Sequence, residues 1–446
     1  MVATRFQQAR ADAPPRRAPR RGLHAPETMR IIVLGAGVVG VASAFFLRER
    51  GHDVTVIERQ PQVAARTSRA NGGQISVSGA EPWANPGVPR QLLAWLGRRD
   101  APLRLRLRAD PGQWAWCLRF LLECTAARSE RNMREIVHLG LYSREVLRAL
   151  RERRELHYDA QRRGILHLYG DERALRDAAH CAKRMREFGC ERRVVDVDEA
   201  LRIEPALRAM RASLAGATYT SGDESGDAHA FTHELARHCT HDGVRFAFGH
   251  TATALRRRGD AIDHVEATAA DGSFERFDAD AYVLACGCWS APLARSAGLA
   301  LPIHPVKGYS VTLPVADEAA AWQVSLTDER HKLVFSRLGR RLRVAGTAEV
   351  GGWSRELDEA RGAAIVDRVA TLFPGAADTS RAVHWSGLRP MTPGNVPLIG
   401  RSRLRNLFLN TGHGSLGWTL ACGSAAALAS LVDGQRPDVR FAFTGI

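Results

Sequence analysis

The feature that most constrains this chain is a glycine-spaced turn set between two apolar runs. Arg30-Ile31-Ile32-Val33-Leu34 is short, apolar and rich in β-formers, as a buried parallel strand is. Gly35-Ala36-Gly37-Val38-Val39-Gly40 follows and opens a helix that reaches about Arg50. Gly51-His52-Asp53 ends that helix, and Val54-Thr55-Val56-Ile57 forms a second strand finishing at Glu58, with Arg59 next. Each glycine has its own duty in such a unit. Gly35 permits the tight turn, Gly37 lets the main chain approach a pyrophosphate, and Gly40 lets helix and strand pack closely. Phosphates would lie at the helix N-terminus, where free N–H groups and the helix dipole favour negative charge. Glu58 stands 18 residues beyond Gly40, placed to accept from a ribose hydroxyl and to repel a 2′-phosphate. The unit predicts a doubly wound α/β domain that binds a dinucleotide through residues 32–40, Glu58 and Arg59. FAD and NAD both satisfy it.

The apolar run Ile31–Leu47 has Ser43 as its single polar residue and could imitate the core of a secretory signal. Its glycine spacing, the absence of a small-residue cleavage site and the continuation into Arg48-Glu49-Arg50 argue against that. No other segment approaches the roughly 20 apolar residues of a spanning helix. Eight cysteines without a CxxC pair fit a reducing compartment, and Cys286 and Cys288 lack histidines at metal-ligand spacing, so no metal site is expected.

Charge is a weaker guide. The 446 residues carry 63 basic and 48 acidic side chains, a formal +15, and only Lys183, Lys307 and Lys332 are lysines. Residues 1–28 hold six arginines against Asp12 and Glu27, a net +4, with four prolines and little apolar content, which predicts a disordered basic tail. Scattered arginine without a recognised nucleic-acid module gives no reason to expect a nucleic-acid partner. The alternating Pro102–Arg108 segment, followed by Trp114, Trp116 and Phe120, fits a solvated strand face over a packed core or a patch resting on a membrane.

After Glu58, Arg66-Thr67-Ser68-Arg69-Ala70-Asn71-Gly72-Gly73-Gln74 is a small polar loop suited to a second pass over the cofactor, with Ser68, Asn71 and Gly72 as contacts. Residues 281–290 read as a buried strand entering a turn at Gly287. Near the C-terminus stand Gly387–Pro393 and Gly412-His413-Gly414-Ser415-Leu416-Gly417-Trp418. The last of these has no glycine where a GxSxG nucleophile elbow needs its first. The runs VLGAGVVGVASAFFL, ANGGQIS, PVKGYS, GLRPMTP and GHGSLGWTLACGS, in this order, resemble the D-amino-acid dehydrogenase small-subunit family. That family lies within the FAD-dependent amine oxidoreductases that include D-amino-acid oxidase and glycine oxidase. The resemblance spans Met29 to about residue 435 and implies non-covalent FAD and oxidation of a D-amino acid to a 2-oxo acid and ammonia. It further implies a respiratory, quinone-linked acceptor and a cytoplasmic protein peripheral to the membrane. Alternatives within it are a D-hydroxyproline or N-methyl amino acid substrate, oxygen as acceptor, or an inactive flavin-binding paralogue. Where relatives tend to have Thr-Pro-Asp-Gly, this chain has Thr392-Pro393-Gly394-Asn395, which removes a carboxylate.

The resemblance implies a discontinuous plan: an FAD domain from 29–84, 215–300 and 385–435, and a mainly antiparallel substrate domain from 85–214 and 301–384. Residues 301–314 and 331–350 alternate as half-buried strands do, and 141–153 and 171–186 read as amphipathic helices. Gly412, His413, Gly414, Leu416 and Gly417 are expected at the flavin. Arg389 is the expected partner of the substrate carboxylate, since a guanidinium fork binds it bidentately and stays charged. Tyr309 and Lys307 are the expected helpers beside it.

Overall fold

The computed structural model describes residues 28–95, 103–106 and 108–445. The expected tail up to residue 27 lies outside them, as do 96–102 and 107, which include Pro102 and Leu107 of the alternating segment.

Arg30–Leu34 lies in the middle of a six-stranded sheet. Asp53–Glu58 and Ala281–Leu284 pair with it in parallel on either side; Arg245–Phe248 extends one edge and Leu407–Thr411 then Leu398–Arg401 the other. Only the outermost pair, Leu398–Arg401 with Leu407–Thr411, is antiparallel. The helix Val38–Glu49 buries nearly its whole surface among Ala228–His241 and Gly417–Val432, which explains its almost uninterrupted apolar sequence. One apolar stretch, Gly414–Val432, does reach the length and composition of a membrane span, contrary to the sequence expectation, but 78% of it is buried inside the protein. It is a core helix, packed on Val38–Glu49 and on Ala126–Arg154.

The second sheet is nine-stranded and mostly antiparallel. Its order runs Val383–Met391, His304–Pro314, Arg341–Val350, Leu333–Leu338, Ser325–Asp328, Ile165–Tyr169, Gly216–Thr220, Arg193–Val195, with Leu103–Leu105 added in parallel against Arg341–Val350. The alternation read at 301–314 and 331–350 therefore forms three neighbouring strands. Helix Glu359–Leu372 covers one face, closing a core around Trp322, Phe335 and Phe373. Gly216–Thr220 and residues 385–391, expected with the cofactor segments from 215 and 385, hydrogen-bond into this second sheet. Conversely, helix Ala126–Arg154, from the expected substrate segment, sends Leu139, Leu147 and Leu150 into the cofactor-side core. The two units thus share elements at their seam, because the strands leaving one sheet find their hydrogen-bond partners in the other.

Candidate active site

The glycine loop lies where the spacing placed it, at the carboxyl end of Arg30–Leu34. Gly35 has φ +102, and a Cβ there would sit 2.8 Å from the Ala285 carbonyl oxygen, so only glycine fits. A Cβ on Gly40 would collide with the Gly35 carbonyl oxygen, which accounts for the close helix–strand contact. Gly37 occupies the N-cap without a side-chain cap, and the Ser68 hydroxyl accepts from Val38 N at 3.0 Å. Glu58 is fixed beside the loop: its two oxygens accept from Ala36 N (2.8 Å) and Gln60 N (2.9 Å).

A cleft opens along this loop. Of the sequence-predicted cofactor residues, Gly35, Ala36, Gly37, Val38, Val39, Glu58, Arg59, Ser68, Gly287, Gly412, His413, Gly414 and Gly417 line it. Ile32, Val33 and Leu34 do not; they are core of the strand beneath. Gly40 serves packing alone. Asn71 and Gly72 do not line the cleft, and their carbonyls are tied to the second sheet: Arg343 Nη1 donates to Asn71 O (3.0 Å) and Ser336 Oγ to Gly72 O (2.7 Å). Leu416 is half-buried and packs against the core rather than lining the cleft. The sequence reading missed His250–Thr253 and Asn410, which join the lining from distant strands, and Trp289, which joins it from the short helical turn Gly287–Trp289. Arg59 stacks on the Trp289 ring at 3.7 Å, closing one side of the cleft, and Trp289 touches the half-exposed Trp353.

His413 is buried, its Nε2 3.1 Å from Ser424 Oγ, and burial pushes its pKa down to about 3. It is neutral at working pH. Burial raises the Cys286 thiol to about 12, and its Sγ donates to Leu34 O at 3.2 Å.

The edge strand Val383–Met391 of the second sheet meets the cleft. Leu388 O accepts from Thr67 Oγ1 (2.8 Å) and Cys288 Sγ (3.5 Å), and Pro390 is in the lining. Strand alternation then sorts the three expected catalytic side chains. Val306 opposes Arg389 and Lys307 opposes Leu388, so Arg389 and Lys307 emerge on opposite faces. Ser310, on the Arg389 face, donates to Ala70 O of the 66–74 loop at 2.7 Å, so this is the face turned to the expected cofactor loop.

Arg389 is half-buried there, over the Trp83 ring at 5.8 Å. Its Nη1 donates to Thr347 O at 2.9 Å and Nη2 reaches Gly346 O at 3.5 Å. Among the described residues no carboxylate pairs with it, and loss of solvent pushes its pKa down to about 10. Lys307 and Tyr309 are not brought to it. Tyr309 is buried in the core under Glu359–Leu372 and donates to Glu349 Oε2 at 3.3 Å; burial and that carboxylate raise its pKa. Lys307 Nζ lies 3.7 Å from Glu349 and donates to Glu356 O at 3.2 Å. Arg106 completes this cluster, 2.7 Å from Glu349. These residues belong to an ion-paired cluster on the far face, a correction that motif adjacency could not reveal.

The altered 392–395 run is accommodated locally. Asn395 takes φ +65, which asparagine tolerates, and its Oδ1 accepts from Trp83 N at 2.9 Å. A Cβ at Gly394 would lie 2.6 Å from Asn132 Nδ2 and 3.2 Å from Glu123 Oε2, so a carboxylate from another helix stands beside the position.

The family model for FAD-dependent oxidoreductases named DAO matches residues 30–431. Curated D-amino acid dehydrogenases are similar over nearly the whole chain. The one from Dechloromonas aromatica is 54% identical, covering 93% of this chain and 99% of its own length. The one from Paramagnetospirillum magneticum is 49% identical, covering 94% and 98%. Among solved structures, glycine oxidase from Geobacillus kaustophilus aligns with a TM-score of 0.70 at 24% identity, covering 92% of this chain and 97% of its own. L-proline dehydrogenase from P. horikoshii has the same TM-score, 0.70, at 17% identity, covering 93% and 96%.

Proposed function

Given that the chain belongs to the DAO family of FAD-dependent oxidoreductases, we propose that this FAD-dependent amino-acid-oxidising enzyme acts on small D-amino acids such as D-alanine. The products are the 2-oxo acid and ammonia, after water adds to the imino acid. The observation that carries this reading is Arg389: a half-buried cation on the cofactor-loop side of the sheet, held by two main-chain carbonyls and, among the described residues, answered by no carboxylate. A buried guanidinium without a counter-charge is costly unless a ligand supplies one. An α-carboxylate has the matching fork.

The cleft suits FAD. Gly35 and Gly37 carry no side chain of their own at the helix N-terminus that lines the cleft, and Ser68 and Glu58 stand beside it. Residues 35–39, Glu58, Arg59 and Ser68 would hold the dinucleotide, and Gly287, Gly412, His413, Gly414 and Gly417 its other end. When bound, FAD supplies the two-electron oxidation of the substrate's C–N bond. The chain's part is to bind and orient. Arg389 fixes the carboxylate, Gly346 and Thr347 fix Arg389, and Pro390 and Trp289 wall the cleft. His413, neutral and tied to Ser424, leaves the charge of the region unchanged.

The electrons pass to a respiratory, quinone-linked acceptor at a membrane. Helix Pro111–Glu123 supports this: Trp114, Leu118, Leu121 and Leu122 are 50%, 61%, 47% and 54% exposed along one stripe, with Arg119 among them. Trp116 and Phe120 belong to the core, as the packed-core alternative for this segment has it, and only Trp114 of the three aromatics is exposed. The side of the membrane that we propose for this contact is the cytoplasmic one.

Anaerobic mixing of the holoenzyme with D-alanine should bleach the flavin absorbance, and L-alanine should not. Bleaching by L-alanine alone, or by no amino acid of either hand, would refute the proposal. Turnover with a quinone analogue should exceed turnover with oxygen; the reverse would refute the acceptor.

A further inference from the structure

Thr347 has a backbone conformation that its side chain disfavours. Its φ is +53, in the left-handed region, where a β-branched residue is a genuine outlier. It is no turn residue, since it lies inside the strand Arg341–Val350. The pairing with His304–Pro314 explains the geometry. Tyr309 opposes Gly346 and Lys307 opposes Glu349, so three residue steps on one strand match two on the other. One extra residue is bulged out.

The bulge turns the carbonyls of Gly346 and Thr347 towards Arg389, the Thr347 oxygen lying 2.9 Å from Nη1. The opposite strand makes room: a Cβ on Gly308 would collide with the guanidinium. The Thr347 hydroxyl contributes nothing to this seat, for its buried oxygen has no hydrogen-bond partner. Strain of this kind persists only where its surroundings enforce it, and it gathers at ligand clamps.

We propose that Thr347 is a positioning residue for substrate. Its left-handed bulge aims a main-chain carbonyl at Arg389 and so presents the rest of the guanidinium to the substrate carboxylate. The inference rests on the reading of Arg389 as the carboxylate partner and adds what fixes its aim. Conformation, rather than side-chain chemistry, is the operative property.

The test uses holoenzymes, propionate (D-alanine without its amine) as a binding probe, and D-alanine kinetics. Thr347→Gly, at ease at positive φ, and Thr347→Val, which lacks only the hydroxyl, should keep the propionate Kd and the D-alanine KM within about two-fold. Thr347→Pro, whose ring fixes φ near −65°, should raise both about ten-fold or more while kcat at saturation stays within about three-fold. An unchanged KM in a folded, FAD-loaded Thr347→Pro overturns the proposal, as does a Thr347→Val defect equal to that of proline. Should the proline variant fail to fold, a crystal structure of the wild-type holoenzyme with propionate decides. A positive φ at Thr347 with its carbonyl on Arg389 and the carboxylate on the same guanidinium supports the proposal; a negative φ overturns it. If Arg389→Lys leaves propionate affinity unchanged, the underlying reading of Arg389 fails. If Arg389→Lys weakens it and Thr347→Pro does not, only the positioning role fails.

Discussion

The two faces of the second sheet carry similar cations and treat them oppositely. On the far face, Lys307 and Arg106 converge on Glu349, which Tyr309 also reaches, so every charge is answered within the chain. On the near face, Arg389 has, among the described residues, only carbonyl oxygens as partners. An ion pair closed on itself is structure, whereas a cation held in place but left without an acid is half of a binding site. Residue type does not separate the two cases; the company each charge keeps does.

That contrast is sharpest when each face is perturbed alone. Arg389→Ala should lower kcat/KM for D-alanine by about 2–5 kcal/mol in equivalent free energy while FAD stays bound, as steady-state kinetics and the flavin spectrum would report. Loss of FAD with kinetics restored on reconstitution would place Arg389 outside the substrate site. Glu349→Gln should instead lower thermal stability by about 1–3 kcal/mol, because it leaves Lys307 buried without its acid, and should leave KM unaltered. A shifted KM would mean that the far face communicates with substrate. Lys307→Met should cost less still, below about 1 kcal/mol in a denaturant titration, since Arg106 and Tyr309 keep Glu349 satisfied.

The last effect concerns pH, and near neutrality it is nil. The folded pKa of His413, about 3, lies below its ordinary 6.5. The unfolded chain therefore takes up that proton first, and the stability due to a neutral His413 is complete above pH 6.5 and lost as pH falls towards 3. Glu224, lowered by Arg151 and Arg148 against the opposing effect of burial, acts in the same sense below its ordinary 4.5. Melting temperature should thus fall on acidification. The kcat/KM profile should carry no ionisation from His413 between pH 5 and 8, and a His413→Asn variant should keep its shape.

What could be read from sequence follows from how local each signal is. Gly35, Gly37, Gly40 and Glu58 announce a strand, turn, helix and acid within one stretch, and the structure has them so. The strands at 301–314 and 331–350 were legible from alternation alone. Which face of the Pro305–Ser310 strand met the cofactor was not, because period two gives two faces without saying what covers either. The bulge at Thr347 has no sequence mark, since threonine is an ordinary strand residue. Likewise Trp114, Trp116 and Phe120 formed one aromatic cluster on paper, and helical rotation sends only the first to solvent. His250–Thr253 reach the cleft from a three-stranded sheet far along the chain, a contact no local pattern encodes.

The most direct measurement is an equilibrium titration of propionate, followed by flavin absorbance, into wild-type, Arg389→Ala and Lys307→Met holoenzymes. A near-face carboxylate site predicts a Kd raised about 30-fold or more in Arg389→Ala, the equivalent of roughly 2 kcal/mol, and unchanged in Lys307→Met. An unchanged Kd in FAD-loaded Arg389→Ala, or an equal loss in Lys307→Met, would contradict it.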